Sequence, residues 1–285
     1  MRPPPASRRR AAAGFTLIEM ATAAALGSLI LAALFSAYIQ FRRQIRSLQL
    51  RSEVQQSVRF GMSALTRDLS MAGYGLQVPL SRLPQWINWV SNFTNNPIVL
   101  SGGGSAPDTL LMAAAYTCAT VLSNSPAAKA TQLVVASGGG ANFANSSCRV
   151  VYIGRCELAR VTAVNGNTLT VSTDPSISAG LKYAHAAGEP VELVQVLRYS
   201  IAPPESGWQI GSYLKREDFS GNTTAWYQSG VTDGLEDLQA TRTGAVVRVA
   251  LRGVSRSPER GWRDPVFGDS FRRITLTNTV FMRNL

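Results

Sequence analysis

The chain has 285 residues, of which 45% are hydrophobic and 16% charged, with 24 Gly and 14 Pro; this excludes a disordered chain and a collagen-like one and leaves room for one large domain or two small ones. The formal net charge is +11, from 28 cations (three Lys, the rest Arg) against 17 acids. One His and three Cys are too few for a Cys/His zinc site, a His-dependent mechanism would rest on His185 alone, and no cofactor or enzymatic activity is expected.

Residues 1–14 read MRPPPASRRRAAAG, with Arg2, Arg8, Arg9 and Arg10 and no acid. Residues 15–39 are apolar apart from Glu19 and as a helix would span about 37 Å, enough for a hydrocarbon core of about 30 Å. The run is too long for the apolar part of a secretory signal, so a retained span is expected. Orientation by charge is only weakly N-in, because Arg42, Arg43 and Arg46 follow the span closely. Beyond it, Phe41, Ile45, Leu48, Val54, Val58, Met62, Leu65, Leu69 and Ala72 recur mostly every three or four residues, an amphipathic stripe. No Pro interrupts residues 15–72, and Gly73-Tyr74-Gly75 is a stop signal. The spacing therefore predicts one helix from about 15 to 72, with Arg67 on its outer face. The domain reading is a leader over 1–14, a membrane half of the helix over 15–40, an amphipathic half over 41–75, and a β-rich head over 76–285.

After residue 75 the period shortens. Strands are expected at 108–115, 132–136, 149–153, 158–164, 168–172, 191–200, 208–214, 231–240, 245–252 and 273–282, rich in Val, Leu, Thr and Tyr and bounded by Gly, Asn, Asp or Pro. Asn165-Gly166 is a hairpin signal. Residues 76–106 and 117–147, apart from the strand at 132–136, read as long loops. The expected fold class is α+β: a long N-terminal helix packed on a mainly antiparallel β-sheet head.

The segment GFTLIE, Gly14–Glu19, resembles the cleavage and methylation site of type IV prepilins: a short basic leader, Gly, Phe, a carboxylate at the fifth mature position, then about twenty apolar residues. The resemblance implies a cut between Gly14 and Phe15 by a membrane aspartyl peptidase and N-methylation of Phe15. It also implies a docking role for Glu19 against a neighbouring subunit's amine. The mature chain would be 271 residues with net charge +7, having lost the four leader Arg. A residue-level reading agrees, since Gly14 lets an extended backbone enter a narrow protease cleft and an ionisable group in an apolar helix is costly and by default functional. The bland alternative is that Glu19 snorkels or simply favours the helix N-terminus.

Three further patches are similar to PilW-type minor pilins: VRFGMSALTRDLSMAGYG (Val58–Gly75), GVTDGLEDLQ (Gly230–Gln239) and FRRITLTNTVFMRNL (Phe271–Leu285). After Gln239 the run Ala240–Gly244 departs from that family's Tyr-Gly ending. The implied function is a minor pilin that helps initiate or cap a type IV pilus. Its partners would be other pilin and minor pilin subunits, the prepilin peptidase and the inner membrane, with the leader cytoplasmic and the head periplasmic before assembly. The alternatives are a J-type minor pseudopilin of a type II secretion system and a DNA-uptake pilus subunit.

Other groups carry weaker signals. Two of Cys118, Cys148 and Cys156 could pair outside the membrane, or all three could be thiols. Gly102–Gly104 and Gly138–Gly140 lack a following GK[ST] and read as surface loops. His185 reads as an ordinary loop residue. Asp233, Glu236 and Asp237 read as solvated turn carboxylates in preference to a calcium site. Arg248, Arg252, Arg256, Arg260, Arg263, Arg272 and Arg273 form a candidate basic surface for an anion such as nucleic acid, although Arg248 and Arg252 on an alternating strand also fit a plain solvent face.

Overall fold

The computed structural model describes residues 16–76, 96–144, 150–174, 179–203, 211–218 and 234–282, apart from the side chains of 116–118. The long helix, α1, runs Leu17–Met71. No Pro interrupts it before Gly73 and Gly75, whose φ values of 78° and 74° end it. The exit is tight: a Cβ at Gly75 would lie 2.6 Å from the Ala115 carbonyl oxygen, so glycine is required by conformation and by space. The chain divides into two compact units between Gln49 and Leu50.

In the first unit the large side chains of α1 from Leu17 through Leu48 are exposed, apart from half-buried Ile39. The expected stripe is therefore corrected at its start, because Phe41, Ile45 and Leu48 are not packed and the first buried apolar residue is Leu50. In the second unit the stripe is realised. Val54, Val58, Met62, Leu65, Leu69 and Ala72 join one core with residues from two antiparallel sheets.

The smaller sheet has the order β11-β10-β9, built from β9 (Leu235–Thr243), β10 (Val246–Val254) and β11 (Arg273–Phe281). It covers the helix with Leu235, Leu238, Val247, Val249 and Leu251. Gly253 lets β10 approach closely, since a Cβ there would meet Val58 Cγ2 at 2.5 Å and Val54 Cγ1 at 3.0 Å. Gly61 faces Leu251, and Thr66 accepts from Asn278 Nδ2, so β10 runs antiparallel to the helix with its end beside Val54.

The larger sheet comprises β1 (Ile98–Ser101), β2 (Thr109–Val121), β3 (Gln132–Val134), β4 (Val150–Ile153), β5 (Glu157–Asn165), β6 (Thr168–Ser172), β7 (Pro190–Ala202) and β8 (Tyr213–Asp218). Its path is β1-β2-β7-β4-β5-β6-β3, with β8 beside the far end of β7. Leu122 bridges Val135, Ala136 N donates to Val121 O and Ser123 N donates to Val134 O, so β3 returns to β2 and six strands close into a ring. Val151, Ile153, Ala159, Val161, Leu169, Val171, Val191 and Leu193 share one cluster there with Phe143 of the short helix α2, Ala141–Ala144. Long β7 serves both cores, giving Val191 and Leu193 to the ring and Leu197 and Tyr199 to the helix.

The α+β architecture agrees with the sequence reading. Three details differ. β1 and α2 fall in segments read as loops, because four residues of apolar sequence between Ser, Asn and Gly give too little pattern. β2 runs on to Val121, six residues past its expected end, with the β-formers Tyr116, Thr117, Thr120 and Val121 carrying it. β8 runs Tyr213–Asp218, four residues past its expected end at Leu214. The expected strand positions 149, 208–210 and 231–233 lie outside the described residues.

Candidate functional site

The N-terminal end of α1 is closed by its own side chains. Glu19 N donates to Thr16 Oγ1 at 3.3 Å, while Thr16 N and Oγ1 each donate to Glu19 Oε2 at 2.9 Å. This is a reciprocal capping box, in which Thr and Glu three residues apart satisfy helix donors that have no partner of their own. Glu19 thus accepts through Oε2 within its own chain at the helix N-terminus, the position that the bland alternative gave it. Gly14 and Phe15 lie outside the described residues. Beyond the cap, an 18-residue window of α1 has mean hydropathy 2.0 with none of it buried, enough by length and composition to cross a membrane.

The packed half of α1 carries a second polar constellation. Asp68 is buried, although a neighbour of exposed Arg67. Its Oδ2 accepts from Tyr199 Oη at 2.6 Å and from Arg216 Nε at 2.7 Å, joining helix, β7 and β8. Burial, with the Asp68 charge adding to it, pushes the Tyr199 phenol far up. The sequence showed an Arg67–Asp68 pair, but the stronger partner is Arg216, 148 positions away. An acidic residue inside an apolar stripe was the available signal: Asp68 lies three positions after Leu65 and four before Ala72.

His185 corrects its reading as an ordinary loop residue. It is buried, with Nδ1 2.7 Å from Glu189 Oε2 and Nε2 3.3 Å from Glu157 Oε2. Glu157 also accepts from Lys182 N at 2.7 Å, and Glu189 from Ala186 N at 3.1 Å. The bond from His185, and then that from Ala186 N, hold the Glu189 carboxyl below the usual range. The group fastens the 180–189 loop to the head of β5. Among the described residues no set of three His, Cys, Asp or Glu could hold a metal ion.

The candidate basic surface is divided. Arg252 pairs with Glu236 at 2.7 Å and Asp237 at 3.3 Å, Arg273 with Glu236 at 2.8 Å and Asp269 at 2.7 Å, and Arg272 with Glu259. Arg248, Arg256, Arg260 and Arg263 are exposed. Glu236 and Asp237, read as solvated turn carboxylates, are instead strand residues of β9 that neutralise these arginines; Asp233 lies outside the described residues. Cys156 is an exposed thiol, while Cys148 and the side chain of Cys118 lie outside the described residues.

The family model for the prokaryotic N-terminal methylation motif matches residues 9–35, a stretch that includes Gly14, Phe15, the capping box and most of the apolar run. No curated protein and no solved structure matches the chain. The motif supports a type IV pilin-like or pseudopilin precursor, hence a structural subunit in preference to an enzyme, and it implies processing by a prepilin peptidase and assembly with other pilins. The exposed apolar helix behind it fits a single-pass membrane anchor.

Proposed function

We propose that the protein is a minor pilin of a type IV pilus, PilW-like, that helps to initiate or cap the fibre. The observation that carries the reading is the methylation motif at 9–35 seated on an apolar, unburied helix that continues into an antiparallel β head. The peptidase cuts between Gly14 and Phe15 and the new amine of Phe15 is methylated. Thr16 becomes the second residue of the mature chain, so the cut leaves the Thr16–Glu19 box whole. On docking, Glu19 exchanges its bonds to Thr16 for the amine of a neighbouring subunit. The leader faces the cytoplasm and the head the periplasm. Pairing of Arg252, Arg272 and Arg273 with carboxylates leaves less positive charge for nucleic acid than the residue count suggests.

Mass spectrometry of the membrane fraction tests the processing. The expected N-terminus is N-methylated Phe15, and Gly14→Arg leaves the leader attached. A wild-type chain still starting at Met1 in a cell with active prepilin peptidase overturns the proposal. Sheared pili then separate the pilus role from that of a secretion pseudopilin, whose subunit would be missing from them. Glu19→Ala is inserted and cut but recruited poorly; normal recruitment removes the docking role.

A further inference from the structure

The turns of α1 that follow its apolar run carry a charge pattern that a span alone does not require. Between Glu19 and Glu53 the chain has four cations, Arg42, Arg43, Arg46 and Arg51, and no acid. On the translocated side of a span such cations are disfavoured, so a cluster of them calls for a compensating partner. The cluster stands in a fixed relation to the apolar run. Phe35, Tyr38, Ile39, Arg42, Arg43 and Arg46 follow one another in alternating steps of three and one, which keeps them on one helix face, and together they line a hollow on its surface. Phe35 and Tyr38 are 65% and 54% exposed, and the three arginines are exposed as well. The Arg42 guanidinium lies 5.8 Å from the centre of the Tyr38 ring, a cation–π contact that ties the cationic part of the face to the aromatic part.

The face changes from apolar to cationic at the depth where a phospholipid does. Counted from Leu17, a hydrocarbon core of about 30 Å takes about 20 residues of helix and so ends near Ala37. Tyr38 then lies at the boundary, where amphipathic rings settle. Arg42 and Arg43 lie about 8 Å further out, at the level of the phosphates, and the long side chain of Arg46 reaches back to that level. We propose that this face of α1 holds one anionic phospholipid of the membrane that it crosses, with the acyl chain along Phe35 and Ile39 and the phosphate on Arg42, Arg43 and Arg46. Charge complementarity selects this occupant. A neighbouring helix would have to bring carboxylates to the same turns, whereas an anionic lipid already carries its charge at that depth and covers the apolar half with the same molecule. Each arginine near an anionic surface is worth a factor of about five in binding. The proposal rests on the reading of α1 as a membrane span.

Native mass spectrometry of the full chain tests it, with the chain ejected from nanodiscs that hold phosphatidylglycerol and phosphatidylcholine in equal parts. Every chain then chooses between the two lipids. Phosphatidylglycerol is expected to be retained at least about fivefold more often. Replacing Arg42, Arg43 and Arg46 together by Gln lowers that preference about fivefold or more. Arg51→Gln removes the same kind of charge five residues beyond Arg46 and leaves the preference unchanged. The substituted side chains are exposed, and an unchanged melting temperature reports an intact fold. Equal retention of the two lipids overturns the proposal, as does wild-type preference in the triple variant. A loss at Arg51 equal to that at Arg46 reduces the effect to net charge and overturns the site. A preference that appears only when several chains share a disc marks a contact between proteins and overturns it too. A chain that enters no disc removes the membrane span itself, and the proposal with it.

Discussion

One helix meets two environments. From Leu17 to Ile39 α1 carries apolar side chains on every face and none of the large ones is buried; from Leu50 onward it carries an apolar stripe and that stripe is part of the core of the head. Two glycines show the contrast at the scale of one carbon atom. A Cβ at Gly27 would meet nothing within 4 Å, while at Gly61 it would lie 2.9 Å from Leu251 Cδ2 and 3.2 Å from both Leu214 and Leu235. Helix formation is common to both halves. What differs is whether lipid or neighbouring subunits, or the chain's own sheets, must supply the contacts.

That contrast can be broken most forcefully at Leu65, which is fully buried. Leu65→Asp places an unpaired charge in the core and should cost at least about 4 kcal/mol. A chain lacking residues 1–41 should be soluble and folded, with mixed α and β circular dichroism, and its thermal melt measures the loss; an unchanged melting temperature would mean that the helix is not packed on the sheets. Next comes Asp68→Ala, which takes the shared carboxylate from half-buried Arg216 and the Tyr199 hydroxyl and should cost about 3 kcal/mol. The double variant Asp68→Ala with Arg216→Met should recover part of it, and purely additive losses would argue against a coupled group.

Gly61→Leu should destabilise the head by about 2 kcal/mol through overpacking, whereas Gly27→Leu should leave its melt unchanged. Equal effects would erase the distinction between the halves. Arg67→Ala, on the exposed side of the packed half, should change stability by less than about 0.5 kcal/mol.

The pH dependence sharpens the same point, since it should come from the head. Glu189, Asp264 and Asp269 are held low by hydrogen bonds, and Glu217 by Arg198 and Lys215 against a burial that raises it. A depressed carboxyl stabilises the fold above its unfolded pKa of about 4, and that stability is lost as pH falls towards the folded value. Tyr199 acts on the other side. Its raised phenol stays protonated in the fold while the unfolded chain ionises above about pH 10, so stability falls as pH rises beyond that point. Tyr199→Phe should flatten the alkaline limb of a melting-temperature profile and leave the acid limb intact.

How much of this was legible beforehand follows from the range of the forces. The capping box and the apolar run are local, and GFTLIE with the residues around it carried them. The stripe from Val54 to Ala72 is local as well, and the structure follows it residue by residue. Its extension to Phe41, Ile45 and Leu48 failed because periodicity reports a face and not what covers it. Asp68 was seen without its partners, since Tyr199 and Arg216 come from strands that only the fold brings to the helix. His185 was dismissed for the same reason: Glu157 lies 28 positions away on β5. The closure of the six-stranded ring was not legible, because it depends on a bridge between Val135, within the expected 132–136 strand, and Leu122, in a segment read as loop.

The antiparallel course of α1 and β10 has a mechanical consequence for the fibre subunit proposed above. Force arriving along the helix from the N-terminal side reaches the head as shear, with Val54 and Val58 against Gly253, Gly61 against Leu251, and Thr66 bound to Asn278. Contacts loaded in shear resist together, unlike those of a hairpin peeled from one end, where each rung fails in turn. The Asp68 bonds to Tyr199 and Arg216 sit near the far end of that row, so the charged tether shares the load with the apolar contacts. Rupture under load is governed by the barrier to leaving the native state and not by the equilibrium stability; a subunit built this way withstands pulling beyond what its melting temperature would indicate.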